Sequence, residues 1–583
     1  LFLLSIMHSF KYLPVFLILV IAACQSNKED KTVKADFSKL YPGDELTIQH
    51  GLDLFVTHCA NCHNFEENGI GPNLSGVTRQ QTKEWLVKFI ANPIAVIKSG
   101  DAHANELFKT YKQYMTPFPQ LKKEEVDHLL SYIHKFSEGN TKSKSNRAGA
   151  LLDPIKEKIP QSDLAIVLKQ LTTITPSATT SPFTRINKMV SLKVANKERL
   201  LIVDLRGKMY ELVHDTSRVF FDMRAIKPNL MDKPGLASGF GSFAFHPDYL
   251  HNGLMYTVHT ELDSLATVDF ALPDSVKTAV QYVLTEWKTK TPNEITFSGT
   301  PRELMRIGMQ TVIHGMQDIE FNPLSKKGDP DYGMLYIGIG DGGSSLAGHP
   351  ELTAPTHIWG KVIRIDPLGQ NSANKKYGIP KDNPFINRTG YAPEIWMSGF
   401  RNPHLIRWDP ESKQMLVTNI GQHSIEEVNL GVKGFHYGWP YREGSFLFDI
   451  TANAESVYPA PANDTMYTPP VIQYDHDEGN AISGGFVYHG KIPLLKGKYL
   501  FGDIPRGIIF YSESKDIKQG SQAPIKKMSV MMDNQLTDLE SITKSNRVDL
   551  RFGMDGTGEL FVFCKSNGGI YKIIDCKKPS QIK

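Results

Sequence analysis

Three hydrophobic patterns follow one another along the chain. The first is an unbroken apolar run over 13–21, behind a polar stretch holding His8 and Lys11, and it ends in Ile21-Ala22-Ala23-Cys24. The second is helical: Leu52, Phe55 and Val56 share one face of 51–58, and Leu121, Val126, Leu129, Leu130, Ile133 and Phe136 share another. The third is a short strand signature that recurs six times. It reads Leu200-Leu201-Ile202-Val203-Asp204 at first sight and Tyr499-Leu500-Phe501-Gly502-Asp503 near the end. Its anchors, Leu201, Met255, Leu335, Leu416, Leu500 and Leu560, stand 54 to 84 residues apart, so long insertions separate the units. Between the second and third patterns, 139–182 is polar and Ser/Thr/Pro-rich, with one helix predicted over 164–171.

The apolar run is too short to span a bilayer and reads as an export signal, with Met7 as the expected start. Small residues before Cys24 resemble the bacterial lipobox, which implies lipidation of Cys24 and a periplasmic-side membrane anchor. A plain secretory signal, with Cys24 incidental, is the alternative. Residues 25–44 then form a tether.

The five cysteines are Cys24, Cys59, Cys62, Cys564 and Cys576. Cys59-Ala60-Asn61-Cys62-His63 has the spacing of covalent c-type haem attachment: two thiols about one helical turn apart, with a histidine beside them. Zinc would need a second cysteine pair, which an exported chain with these five residues does not supply. Gly71-Pro72-Asn73-Leu74 resembles the loop whose proline carbonyl orients the proximal His63. Tyr114-Met115-Thr116-Pro117 resembles the methionine loop of small cytochromes c and makes Met115 the expected sixth iron ligand, with His103, His128 and His134 as competitors. If Asn567-Gly568 is a hairpin turn, Cys564 faces Tyr571 and Cys576 lies out of register, and the state of that pair stays open.

The expected fold is an all-α cytochrome c domain (45–138) followed by an all-β six-bladed β-propeller (183–576). A pair of β-sandwiches would not carry one repeat to the C-terminus. Forty-six glycines and 35 prolines suit such a turn-rich body, and a net charge of +3 gives no reason to expect nucleic acid as a partner.

From Phe183 to Lys572 the chain resembles the soluble quinoprotein glucose/sorbosone dehydrogenases, which bind pyrroloquinoline quinone (PQQ) and calcium. Phe243-Ala244-Phe245-His246-Pro247-Asp248, Gly340-Asp341-Gly342-Gly343, Gly399-Phe400-Arg401-Asn402-Pro403 and Tyr437-Gly438-Trp439-Pro440 carry the resemblance. It implies His314 as catalytic base, oriented by Asp341, and Arg401 with Asn402 beneath the quinone. It implies the Gly421 and Gln422 carbonyls on the cofactor's calcium, and Glu427 with the Tyr437 carbonyl on a structural calcium. Arg506, Arg547 and Arg551 are implied contacts for the quinone carboxylates. Pro505 replaces a family lysine, residues near Ala237 replace a glutamine, and Arg547 and Arg551 are not in the family spacing. The resulting expectation is an exported quinohaem dehydrogenase that oxidises a sugar or polyol and passes electrons to haem c, then to a downstream cytochrome or oxidase. A non-catalytic propeller that binds a glycan or partner, fused to an electron-relay cytochrome, is the competing expectation.

Overall fold

The computed structural model describes residues 39–59, 63, 71–111, 114–139, 149–179, 181–194, 197–233, 238–262, 266–345, 347–450, 456–462 and 464–578. The expected export signal with Cys24, most of the expected tether, and Cys62 lie outside the described residues.

The N-terminal unit runs from the helix Glu45–His58 to the helix Lys123–Gly139, with Lys83–Ala91, Pro93–Lys98 and Ala102–Tyr111 between them. Short polar side chains start these helices by capping free N–H groups: Asp44 accepts from the Thr47 amide at 2.9 Å and Thr82 from the Trp85 amide at 3.2 Å. The apolar face expected after Phe118 is buried, with Val126, Leu129, Leu130 and Ile133 packed against Phe55, Leu86 and Ile90. The Phe136 side chain lies outside the described residues.

The C-terminal unit is a succession of antiparallel sheets. The first four each contain four strands, led by Ile186–Val194, Phe240–Phe245, Met316–Phe321 and Pro403–Trp408. Two further sets, led by Ile482–Val487 and Leu550–Met554, are joined into one nine-stranded sheet. All six recurrences of the sequence signature are second strands, among them Lys197–Asp204, Leu335–Ile339 and Lys498–Asp503. These strands are buried on both faces, which is why they read as continuous apolar runs. The lead strands touch their neighbours in sequence order, and the last touches the first, so the sheets close a ring.

The helix expected over 164–171 is instead part of the strand Gln161–Thr173. It pairs antiparallel with Gly569–Lys577, Ile166 opposite Cys576, and parallel with Lys526–Met532, Ile166 opposite Val530. Leu164 to Leu168 are all buried, so the run does not alternate, and Leu164, Leu168 and Leu171 fall by chance at helical spacing. The β unit therefore takes in residues before 183, and its last set of strands is completed from the segment that precedes the first. The expected hairpin register is also corrected: Tyr571 lies opposite Val562, not Cys564. Cys564 and Cys576 are buried free thiols, and burial pushes the Cys576 thiol up to about 11.

Ile166 is fully buried at this seam. Ile166→Ala is expected to cost about 2–5 kcal/mol of stability, read from denaturant unfolding followed by far-ultraviolet circular dichroism.

Candidate functional site

The helical unit encloses a cavity of about 400 Å³ whose wall includes Cys59, His63, Pro72, Phe89, Ile90 and Met115. His63 is held through Nδ1, 2.8 Å from the Pro72 carbonyl, and its Nε2 has no partner among the described residues. Gly71 makes this approach possible, because a Cβ there would fall 2.4 Å from the His63 ring. Burial lowers the His63 pKa, so the ring is neutral with a lone pair on Nε2. Of the competing ligands, His134 bonds Thr78 at 2.9 Å and stacks on Tyr41, and His128 lies against His50. His103 borders the cavity, but its ring packs on Trp85. An apolar chamber with one buried thiol, one oriented imidazole and a thioether fits a covalently attached haem.

In the β unit a recurring polar bond orders one face of the ring. Each lead strand is entered through a loop, and in five of the six sets a side chain at or near the end of the second strand grips that loop. Asp204 accepts from the Arg185 amide at 3.2 Å, Thr260 from Gly239 at 2.7 Å, Asn419 from Asn402 at 2.8 Å and Asp503 from Ala481 at 3.0 Å. In the third sheet the partner is a side chain: Asp341 Oδ1 lies 2.9 Å from His314 Nδ1. His314 has a left-handed backbone, φ +52°, which only a surrounding structure that over-determines it would hold. Gly340 is packed so closely that a Cβ would stand 2.4 Å from the His314 carbonyl oxygen. Trp439 Nε1 donates to the other Asp341 oxygen at 3.0 Å. Burial alone would raise the Asp341 pKa, but its bond to His314 and the charge of Arg401 hold it low. The His314 pKa falls to about 4, by burial first and then by Arg401. Above that pH the imidazole is neutral, donates from Nδ1 and presents the lone pair of Nε2.

Arg401 is buried beside this pair and donates to Gln422 Oε1 at 2.7 Å and the Gly421 carbonyl at 2.5 Å. The structure thus brings together His314, Asp341, Arg401, Asn402, Gly421 and Gln422. Gly421 is shared, because the carbonyl expected to face a cation already accepts from Arg401. Glu443 was not foreseen. Its Oε1 accepts from the amides of Gln422, His423, Ser424 and Ile425 at 2.7–3.0 Å and shapes the loop from across the chain. No local motif marks it. Glu427 is buried, with Oε1 bonded to Asn419 at 2.5 Å and Oε2 unpartnered, an orphaned oxygen that fits a hard cation. Tyr437 is a core residue, its hydroxyl bonded to the Leu430 carbonyl and its ring stacked on Phe400.

The three arginines expected on the quinone do not form one group. Arg506 is exposed and reaches the Glu478 carbonyl at 3.4 Å, and Arg547 pairs with Asp549 at 2.9 Å. Arg551 alone is buried, bonded to Asn187 at 3.2 Å.

Residues 186–523, more than half the chain, match the family model described as glucose/sorbosone dehydrogenase. The chain belongs to that family. Residues 48–137 match the cytochrome c family model, so the protein fuses the two. Among curated relatives, mouse Hedgehog-interacting protein is 25% identical over 358 residues, covering 60% of this chain and 45% of the relative. The aldose sugar dehydrogenase YliI of Escherichia coli is 32% identical over 245 residues, covering 41% of this chain and 57% of the relative. The chain thus spans about half the length of these relatives. The solved PQQ-bound aldose sugar dehydrogenase of Streptomyces coelicolor is similar at 19% identity and TM-score 0.46, over 71% of this chain and 99% of that one.

Burial raises the Glu427 carboxyl from 4.5 to about 7. Between those values the folded state holds a proton that the unfolded state has released, so stability falls as pH rises through the window. With a chelator present, the stability of the wild type relative to Glu427→Gln should drop by about 3 kcal/mol from pH 4.5 to 7, measured by denaturant titration at each pH.

Proposed function

We propose that this glucose/sorbosone dehydrogenase family member is a quinohaem oxidoreductase that oxidises a sugar or related alcohol at the mouth of the sheet ring. The ring is read as a six-bladed propeller. The observation that carries the proposal is the buried, neutral His314 clamped by Asp341, in one chain with a cytochrome c domain. When bound, PQQ supplies a hydride acceptor, calcium an electrophile and haem c a one-electron acceptor.

The chain's own residues would do the following. His314 Nε2 takes the proton of the substrate hydroxyl, and Asp341 fixes the tautomer that leaves this lone pair free. Arg401, with its side chain spent on Gln422 and Gly421, stiffens the loop and keeps His314 unprotonated by its charge. Asn402 offers a buried Oδ1 that has no hydrogen-bond partner among the described residues. Glu427 Oε2 and the Tyr437 carbonyl would hold the structural calcium, and the Gly421 and Gln422 carbonyls the cofactor's calcium. In the helical unit Cys59 and Cys62 would carry the porphyrin, and His63 and Met115 would ligate its iron. Joining the two units in one chain makes transfer between them intramolecular, at an effective concentration of order millimolar for a flexible connection. Export and lipidation at Cys24 would place the protein on the periplasmic side of a bacterial membrane, where a downstream cytochrome or oxidase receives the electrons.

The likeness to Hedgehog-interacting protein favours a second reading, in which the ring binds a partner without turnover. Two measurements separate the readings. Protein supplied with PQQ and calcium should reduce its own haem when an aldose is added, seen as a sharpening of the visible α-band. His314→Ala should retain PQQ while haem reduction slows by about 100-fold or more. A haem spectrum that no sugar changes, despite bound PQQ, favours the binding reading. The Soret absorbance should also stay with the polypeptide on denaturation and be lost from Cys59→Ala/Cys62→Ala.

A further inference from the structure

At the ring mouth the sixth set of strands carries two buried cations, Lys565 and Arg551, that form no ion pair among the described residues. Lys565 lies just past the second strand Leu560–Cys564, at the end where other sheets carry Asp204, Asp341, Asn419 and Asp503. Its backbone is fixed: its amide donates to the Asp549 carbonyl at 3.3 Å, and its own carbonyl accepts from the Thr184 amide and hydroxyl at 3.2 Å. The residue is 5% exposed, and its amine has no hydrogen-bond or ion-pair partner among the described residues. Arg551, 7% exposed, bonds Asn187 Oδ1 and the Leu550 carbonyl; among the described residues it makes no ion pair, and Asp549 is the carboxylate that acts on it. Arg185 and Arg547 add positive charge around Lys565, and the opposing Asp549 is already paired with Arg547 at 2.9 Å. His404 faces the same two cations, with a buried Nδ1 that has no partner.

A buried ammonium whose one opposing carboxylate, Asp549, is shared with Arg547 and Arg551 is costly, and removing it should not destabilise a protein that has no ligand for it. The arrangement makes sense if an anion completes it. We infer that Lys565 and Arg551 form a carboxylate-binding pocket at the ring mouth, and that this pocket holds one acid group of the quinone cofactor. The inference rests on the PQQ reading above and adds to it a residue that neither the motif comparison nor the strand repeat points to. Guanidinium and ammonium side by side suit a planar carboxylate, one as a fork and the other as a point charge. Burial, then Arg551, hold the Lys565 amine well below the ordinary lysine range, and a bound carboxylate would restore its charge.

The test is equilibrium titration of the full chain with PQQ in calcium buffer, followed by tryptophan fluorescence. Lys565→Met and Arg551→Met should each weaken binding by about tenfold or more, and Lys565→Arg should keep most of the affinity. Without PQQ, Lys565→Met should melt at the same or a higher temperature than the wild type. Wild-type affinity in both methionine variants would overturn the pocket and leave the PQQ reading standing. Failure of the wild type to bind PQQ would overturn both. Inorganic phosphate supplies a further arm: if Lys565→Met loses phosphate binding but keeps PQQ affinity, the pocket serves a free oxyanion and its assignment to the cofactor falls.

Discussion

The grip between the end of the second strand and the loop that enters the lead strand, made in five of the six sets, organises this molecule. Those loops turn into the mouth of a closed ring, where their amides are withdrawn from water and must find acceptors. A carboxylate, amide or hydroxyl oxygen in a fixed place satisfies them, and the loops become rigid. In the third sheet the same device is turned to chemistry. Asp341 shapes the turn that follows its own strand, accepting from Gly343 at 2.8 Å, and the same oxygen meets the His314 ring in the loop that enters the lead strand. The imidazole is thus oriented by the bond that elsewhere only holds backbone in place, and the strained backbone of His314 lets the ring reach it.

How much of this was legible depended on whether its signal was local. The C-x-x-C-H run, the proline carbonyl and the methionine loop lie within one short unit, and the structure places His63, Pro72 and Met115 around one cavity. The second strands were legible because burial on both faces writes an unbroken apolar run that ends in a polar residue. The outer strands Val280–Lys288 and Thr300–Met309 carry no such mark, since the first buries the polar Gln281, Thr285 and Glu286 among its apolar residues and the second begins exposed. Gln161–Thr173 was misread because its partners lie at the other end of the chain. A doubly buried strand and a short buried helix look alike when only spacing is available.

The same rule separates the site residues. His314, Asp341, Arg401 and Asn402 sit in turns with family motifs, and they do converge. Glu443 reaches the Gly421–Ile425 loop from a separate small hairpin, so nothing near it in sequence announces its role. Arg506 and Arg547 are sequence neighbours of the mouth, but each has a partner of its own. Proximity in sequence was a poor guide to which cation is free.

Deeper in the ring, buried charge is compensated pair by pair. Lys188 meets Asp318 at 2.8 Å and Glu320 at 3.2 Å, and Arg407 meets the same two carboxylates at 2.7 and 3.1 Å. Two cations face two anions, and desolvation is repaid within the fold. That neutral network contrasts with the surplus at Lys565 and Arg551, and with Lys361, 1% exposed, whose amine is held by the Thr353 and Trp359 carbonyls and by no carboxylate among the described residues. Lys565 and Arg551 fall beyond 186–523, the stretch that matches the family model. The family spacing of arginines fails in the same place. The positive charge has not been lost from the mouth. On the reading proposed above, the cations that would meet an anion at this point lie on a lead strand and in the turn beside it, and they are this chain's own.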